Sequence, residues 1–253
     1  MKTIILENKT VPRKPIVIEG LPGLGSVGKI AASYVAKQLR AKKIATLYSP
    51  HFPYHAITDR RGIARLPKND FYHCKSRGGK MELVIITGDC QPQTPVGQYE
   101  VADEVVKYAQ KYSAKLVVTI GGYSSSRKAE LKVIGAATSI RLIDQLKKTG
   151  VIVDRAGTPI VGVAGLVLAL AKSKGLEALC LLGETTGYTP DPGAAKNVLQ
   201  ILARLLRLDI DLLGMSYEME KVKAIEARIK EAEKAVEESS REWKVAEKFS
   251  YIS

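Results

Sequence analysis

The sequence predicts an α/β fold with a mainly parallel central sheet covered by helices on both faces, followed by a long C-terminal helical extension. Residues 15–39 read as a short β-branched strand, a glycine-rich turn and an amphipathic helix, which is the opening unit of an open α/β sheet. Similar units recur downstream, whereas residues 218–248 contain neither Gly nor Pro and are rich in Glu, Lys and Ala. We therefore divide the chain into an α/β domain, residues 1–214, and a charged helix with an apolar tail, residues 215–253.

The elements follow in order along the chain. The N-terminus reads as a first strand. Residues 50–70 mix prolines, charged residues and short apolar runs, which indicates a hairpin or an excursion of the chain at one end of the sheet. Further strands are predicted at 16–18, 41–49, 80–90, 116–120, 158–163 and 176–182, and helices at 98–112, 139–148, 164–173 and 194–206. Alternation of this kind favours a mainly parallel sheet with both faces covered.

Length and composition indicate one large domain with an extension. The 253 residues are 45% hydrophobic, which is typical of a globular protein. No apolar run approaches the ~20 residues of a membrane span, and the N-terminus lacks the pattern of a signal peptide. The three cysteines, Cys74, Cys90 and Cys180, are odd in number and far apart, which is typical of a reducing compartment. We expect a cytoplasmic protein without a membrane partner.

Positive charge is concentrated in the first third of the chain. The net charge is +13, and residues 1–80 contain 16 Lys and Arg against 4 Asp and Glu, a difference of +12. Nucleic acid or an acidic protein surface could bind such a face. No recognised nucleic-acid-binding signature accompanies the charge, so we interpret it as a solvated basic face.

The glycine-rich turn partly matches two phosphate-binding motifs. Residues 23–28 fit G-x-G-x-x-G, but no acidic residue follows at the distance that a dinucleotide site requires. Residues 23–29 fit G-x-x-x-x-G-K, but Ile30 stands where a P-loop needs Ser or Thr. We interpret the glycines as allowing a tight turn and close helix packing. The alternative is an anion bound at the helix N-terminus by Gly23, Gly25, Gly28 and Lys29.

Several polar residues follow directly on predicted strands, where α/β sheets place ligand sites. They are Asp89, Gln91, Gln93, Tyr123 and Ser124. No catalytic combination of side chains can be assembled from them, and ordinary loop chemistry is the favoured interpretation. His51 and His55 have i, i+4 spacing, but Pro53 between them argues against a helix and no third ligand is evident. We therefore predict no metal site, no cofactor and no catalytic residues.

The C-terminal segment carries a heptad seam. Apolar or small residues recur at steps of three and four from 222 to 246, which predicts a helix with one packing face. That face either packs on its own domain or forms an oligomer contact, and its large residues are Val222, Ile225, Ile229, Val236 and Trp243. An apolar and aromatic tail, residues 249–253, follows.

Four stretches of sequence resemble the proteasome-assembly-chaperone family in its archaeal form. They are EGLPGLGSVGKIAA, VIITGDCQP, VTIGGY and GETTGYTPDPGAAKNVLQILARLLRLDID. The resemblance implies an α/β sandwich, homo-oligomerisation and binding to proteasome α-subunits or α-rings. Members that engage the proteasome can end in hydrophobic–Tyr–any residue, whereas this chain ends in Tyr251, Ile252 and Ser253 with the tyrosine third from the end.

The resemblance therefore predicts a non-enzymatic, homo-oligomeric chaperone or adaptor. Its partner-binding residues would be Tyr251, Ile252 and Ser253, and several tails on one oligomer would strengthen a weak single contact. The alternative is an α/β enzyme or sensor that binds a nucleotide or another anion at residues 23–29.

Overall fold

A computed structural model describes residues 2–8, 10, 12–76, 79, 81–124, 132–153, 157–187 and 189–215. The chain divides into two units, residues 1–212 and 213–253, and the fold below is that of the first unit. The expected C-terminal helix, its heptad seam and the tail lie outside the described residues, which end at residue 215.

The described residues of this unit form eleven strands and five α-helices. The strands are β1 Ile4–Glu7, β2 Ile16–Glu19, β3 Lys42–Tyr48, β4 Ile57–Thr58, β5 Ala64–Arg65, β6 Asn69–Lys75, β7 Glu82–Gly88, β8 Leu116–Ser124, β9 Val133–Ala137, β10 Ile152–Val153 and β11 Ala178–Thr185. The helices are α1 Val27–Gln38, α2 Pro95–Lys111, α3 Ile140–Lys148, α4 Val163–Ser173 and α5 Pro192–Leu206, and a 3₁₀ turn, Leu24–Ser26, precedes α1.

Nine of the strands form one mixed sheet in the order β1-β3-β6-β7-β2-β8-β11-β9-β10, and β4 and β5 form a separate two-stranded sheet. The central strands β7, β2, β8 and β11 are parallel to one another. On one side β6, β3 and β1 continue in antiparallel pairs, and on the other side β9 pairs antiparallel with β11. The prediction of a mainly parallel sheet is therefore wrong, although the α/β class is confirmed.

Short connections explain the antiparallel flank. Only residues 76–81 join β6 to β7, which permits a hairpin but not the crossover that a parallel pair needs. β6 itself was not predicted, because its sequence mixes polar and aromatic residues rather than forming an apolar run. The strand expected at 158–163 does not form, since residues 157–161 are irregular and α4 begins at Val163.

Helices cover both faces of the sheet. Val17, Val84 and Val117, from the parallel strands, pack in one cluster with residues of α2 and α4. Ile18 alternates with Val17 along β2 and is equally buried, on the opposite face. There α1 packs against β2, β7 and β8, with α5 beside it.

The order of elements sets two ends of the domain. Helices α1 and α2 follow parallel strands β2 and β7, α5 follows β11, and α4 precedes β11. Their N-termini therefore lie where the parallel strands finish, which we call the carboxyl end. Their C-termini lie where the parallel strands begin, which we call the amino end.

Candidate functional site

The glycine-rich turn at the carboxyl end is packed tightly between strands. Gly25 has φ 58, and a β-carbon there would lie 2.5 Å from Thr185 Oγ1. A β-carbon at Gly28 would come within 3.0 Å of the carbonyl oxygen of Ile120, where β8 passes beneath α1. These two glycines thus have a packing role that needs no ligand. Anion binding at residues 23–29 stays a prediction.

Gln91 joins three segments at the carboxyl end. Its Nε2 donates to the carbonyl oxygen of Pro22 at 2.5 Å, beside the glycine turn. Its Oε1 accepts from the backbone N–H of Val163 at 3.0 Å, in the first turn of α4. The side chain therefore links the turn after β2 to the start of α4. Gln91, one of the polar residues expected near a ligand site, thus has a structural role.

Asp89 anchors the excursion that connects β3 to β6. Its carboxylate accepts from Arg65 Nη1 at 2.5 Å and Nη2 at 3.1 Å, and from the backbone N–H of Lys68 at 3.1 Å. Burial raises the pKa of Asp89, but the hydrogen bonds from Arg65 and Lys68 outweigh burial and leave the pKa below its usual value. Asp89 is thus an ionised structural partner.

The histidines occupy separate environments. His51 Nδ1 lies 3.0 Å from Thr94 Oγ1, and its Nε2 lies 3.4 Å from Glu100 Oε2, so His51 holds the excursion against the start of α2. His55 is exposed. Within the described ranges, no three His, Cys, Asp or Glu side chains come together in an arrangement that could hold a metal ion.

Glu19 is a buried acid that sequence reasoning missed. It ends β2, is 1% exposed, and lies in register between Ile86 of β7 and Thr119 of β8. Burial raises the pKa of Glu19 to about 8, although a hydrogen bond with the backbone of Leu21 acts in the opposite direction. The carboxyl group is therefore mostly protonated at neutral pH. A charged residue closing an otherwise apolar strand, IVIE, is the signal that could have identified it.

Two polar atoms on neighbouring strands of this layer are poorly satisfied. Among the described residues, Glu19 Oε2 has no hydrogen-bond partner, and the hydroxyl of Thr119 has none beyond a contact with the thiol of Cys180. Cys180 continues the row on β11, opposite Thr119, and burial raises the pKa of its thiol to about 12. The row is thus neutral and closed to solvent, and it does not form an exposed reactive site.

The excursion at residues 49–68, which we call the arm, exposes aromatic and aliphatic side chains. Tyr54 is 100% exposed, and Ile63 and Leu66 are each more than half exposed. A pocket of about 340 Å³ opens beside them, lined by Tyr48, Phe52, Pro53, Tyr54, Leu66 and Pro67 among others. β4 and β5, with two residues each, pair as a short hairpin within the arm. A hairpin this short depends on anchors such as the Arg65–Asp89 ion pair. Exposed Tyr and Arg are typical of protein-binding surfaces.

The strand–glycine turn–helix unit at the start of this mixed sheet, with the motifs quoted above, defines a domain of the proteasome-assembly-chaperone type. The chain belongs to the PAC2 family, whose family profile matches residues 17–233. The resemblance found in the sequence is therefore confirmed.

Relatives match over most of the chain. An uncharacterized protein of Methanocaldococcus jannaschii is 34% identical over 228 residues, which is 87% of each chain. Pyrococcus furiosus PbaB, an archaeal proteasome activator, has a TM-score of 0.84 at 35% identity and covers 90% of this chain and 99% of its own. P. furiosus PbaA, an archaeal homolog of proteasome-assembly chaperone, has a TM-score of 0.77 at 30% identity over 95% and 98% of the two chains. In the described part of the chain, no helix combines the length and apolar character needed to cross a membrane.

Proposed function

We propose that the protein is a non-enzymatic, homo-oligomeric chaperone or adaptor that binds proteasome α-subunits or α-rings and assists their assembly or docking. The observation that carries the proposal is the match to PbaB, an archaeal proteasome activator, over 90% of this chain and 99% of that one. The match to PbaA, a homolog of proteasome-assembly chaperone, supports it further. Agreement over whole chains favours a shared mode of action more than a shared fold alone would.

The arm supports protein binding as the activity of the sheet domain. Tyr54 exposes its whole ring beside a pocket of about 340 Å³, a volume in the range of small binding pockets, about 300–1,000 Å³. Burial of one such large side chain in a partner stabilises a complex by about 1.5–3 kcal/mol before ordering costs. The arm therefore provides a contact that would add to those of the C-terminal segment.

The C-terminal segment supplies the oligomer and tail contacts in this proposal. The seam residues Val222, Ile225, Ile229, Val236 and Trp243 would join subunits, and Tyr251, Ile252 and Ser253 would bind the α-ring. A single tail binds weakly. In an oligomer, binding of one tail raises the effective concentration of the other tails near their sites. Oligomerisation would thus raise the overall affinity without any new contact.

The experiment compares masses. Light scattering of the purified protein should give a mass that is a multiple of 27.5 kDa at micromolar concentration. Mixing it with purified proteasome α-rings should give a heavier species that contains both proteins. A monomeric mass and separate elution from α-rings at low salt would refute the proposal. A shift in thermal stability with ATP, absent with inorganic sulfate, would favour the nucleotide-binding alternative at residues 23–29.

A further inference from the structure

Basic residues gather at the amino end of the sheet domain because the helices end there. The last turns of α1, α2, α4 and α5 carry Lys37, Lys111, Lys172 and Arg204. A helix C-terminus carries a partial negative charge from its unpaired carbonyl groups, so cations are favoured at this position. The parallel arrangement of four helices therefore concentrates positive charge on one side of the domain.

The loops at the same end add further cations. These cations precede strands, follow helices or end β6 at this edge of the sheet. They are Arg13, Lys14, Arg40, Lys42, Lys75, Lys115, Lys174 and Arg207. Some of the cations at this end are neutralised within the domain, since Lys111 pairs with Glu7 and Lys174 pairs with Asp103. Lys37, Arg40 and Lys42, in contrast, form no ion pair with any carboxylate of the described residues. The positive charge of this group is thus not neutralised by the described residues, and an external anionic surface could bind it.

A cleft of about 550 Å³ lies beside two of these cations, Lys37 and Arg40. Its lining comes from the last turn of α1, the residues after it and the end of β6, namely Lys37, Gln38, Leu39, Arg40 and Lys75. Among the described residues, the one ion pair of Lys75 is a long contact of 3.8 Å with Glu82, which His73 also approaches at 3.2 Å. Like charges that converge on a cleft repel one another, and an anion in the cleft relieves that repulsion.

We propose that this cleft and the basic surface around it dock an acidic surface of a partner protein. A second copy of the same surface would bring like charges together and is disfavoured. The five residues that line the cleft include no aromatic ring on which a nucleic-acid base could stack, whereas Leu39 offers an aliphatic contact between the cations. Carboxylate side chains on a protein loop therefore fit better than a nucleic acid. The identification of that partner as the α-ring rests on the proposed function.

The charge-reversed double variant Lys37→Glu/Arg40→Glu tests the proposal. Its matched control is Lys147→Glu/Lys148→Glu, which changes the net charge equally on exposed residues at the C-terminus of α3. Since α3 follows β9, which runs antiparallel to β11, its C-terminus lies at the carboxyl end of the domain. Circular dichroism of both variants establishes that folding is retained. The comparison thus distinguishes an effect of where the charge lies from an effect of the protein's net charge.

Binding to purified α-rings is measured at several NaCl concentrations. We expect the Lys37→Glu/Arg40→Glu variant to bind about tenfold or more weakly at low salt and to show a shallower dependence on salt. The control should stay within about twofold of the wild type, because screening confines such effects to nearby charges. Equal losses in both variants, or no loss in either, would overturn the proposal.

Two further probes keep the result independent of the proposed function. If the wild type does not bind α-rings, the proposed function fails, and a poly-glutamate peptide then tests the surface by itself. Loss of poly-glutamate binding in the Lys37→Glu/Arg40→Glu variant alone supports the docking surface, and equal binding by all three proteins contradicts it. Tighter binding of a DNA oligonucleotide than of poly-glutamate at equal salt, lost in the same variant, would assign the surface to nucleic acid instead.

Discussion

Replacing Glu19 with Gln should remove much of the pH dependence of stability. In the folded protein, burial raises the pKa of Glu19 to about 8 from 4.5. Folding therefore favours the protonated carboxyl group, and the contribution of Glu19 to stability is fully present at or below pH 4.5. As the pH rises from 4.5 towards 8 the Glu19 of the unfolded chain releases a proton that the folded chain retains, so this contribution falls through the range and levels off above it.

The size of the effect follows from the shift. Each pH unit within this range costs the wild type about 1.4 kcal/mol, so the interval from about pH 5 to about pH 7.5 removes about 3 kcal/mol. Gln has the same shape and never ionises. Thr119 lies in register with position 19 on the neighbouring strand β8, so its hydroxyl is a nearby acceptor for the amide. The variant should thus match the wild type near pH 5 and exceed it by about 3 kcal/mol near pH 7.5.

The assay is guanidinium unfolding at fixed protein concentration, followed by circular dichroism at both pH values. Asp144→Asn makes the same carboxylate-to-amide change at an exposed position of α3 and should keep the pH slope of the wild type. A Glu19→Gln variant with the wild-type slope, or with lower stability at pH 7.5, would show that Glu19 is ionised and stabilised in the fold. That result would refute our account of the buried row.

Three further predictions concern packing and binding. Gly28→Ala places a methyl group against the carbonyl oxygen of Ile120. Denaturant unfolding should show that the free energy of unfolding falls by at least about 1–3 kcal/mol. Lys29→Ala should leave stability and α-ring binding nearly unchanged, and ATP hydrolysis that disappears in this variant would contradict a structural role for the turn. Deletion of residues 251–253 should weaken α-ring association at constant salt without changing the mass of the oligomer by light scattering. Unchanged binding would assign recognition to the sheet domain.

The parallel core of the fold could be predicted because its sequence signals are local. β2 and β7 are continuous apolar runs, and a glycine turn or a proline-marked helix start follows each of them. The helix α1 also forms as expected, with small buried residues such as Ala31 and Ala32 facing the sheet. Signals of this kind depend on periodicity within a dozen residues, and in these elements the tertiary context agrees with them.

The antiparallel flank and the arm could not be predicted in the same way. β6 pairs with β3 across the arm, and the burial of its Asn69 and Asp70 depends on partners from other segments, such as Thr46 for Asp70. Its residues therefore look polar along the chain and become interior only after the sheet has formed. β10 contains two residues, too few for any pattern to show.

The candidate surfaces depend on the same long-range arrangement. The excess of positive charge in residues 1–80 was visible in the sequence and was interpreted as a solvated basic face, but the sequence alone does not show where the helices that carry it end. Lys37 and Lys75 lie 38 positions apart in the sequence and line one cleft, because α1 and β6 both finish at the amino end. Cations from later segments, such as Lys115 before β8 and Arg204 in α5, lie at the same end. The net charge counted along a chain therefore indicates the sign of the charge that a partner would carry, whereas strand order and helix direction determine which face of the domain would contact that partner.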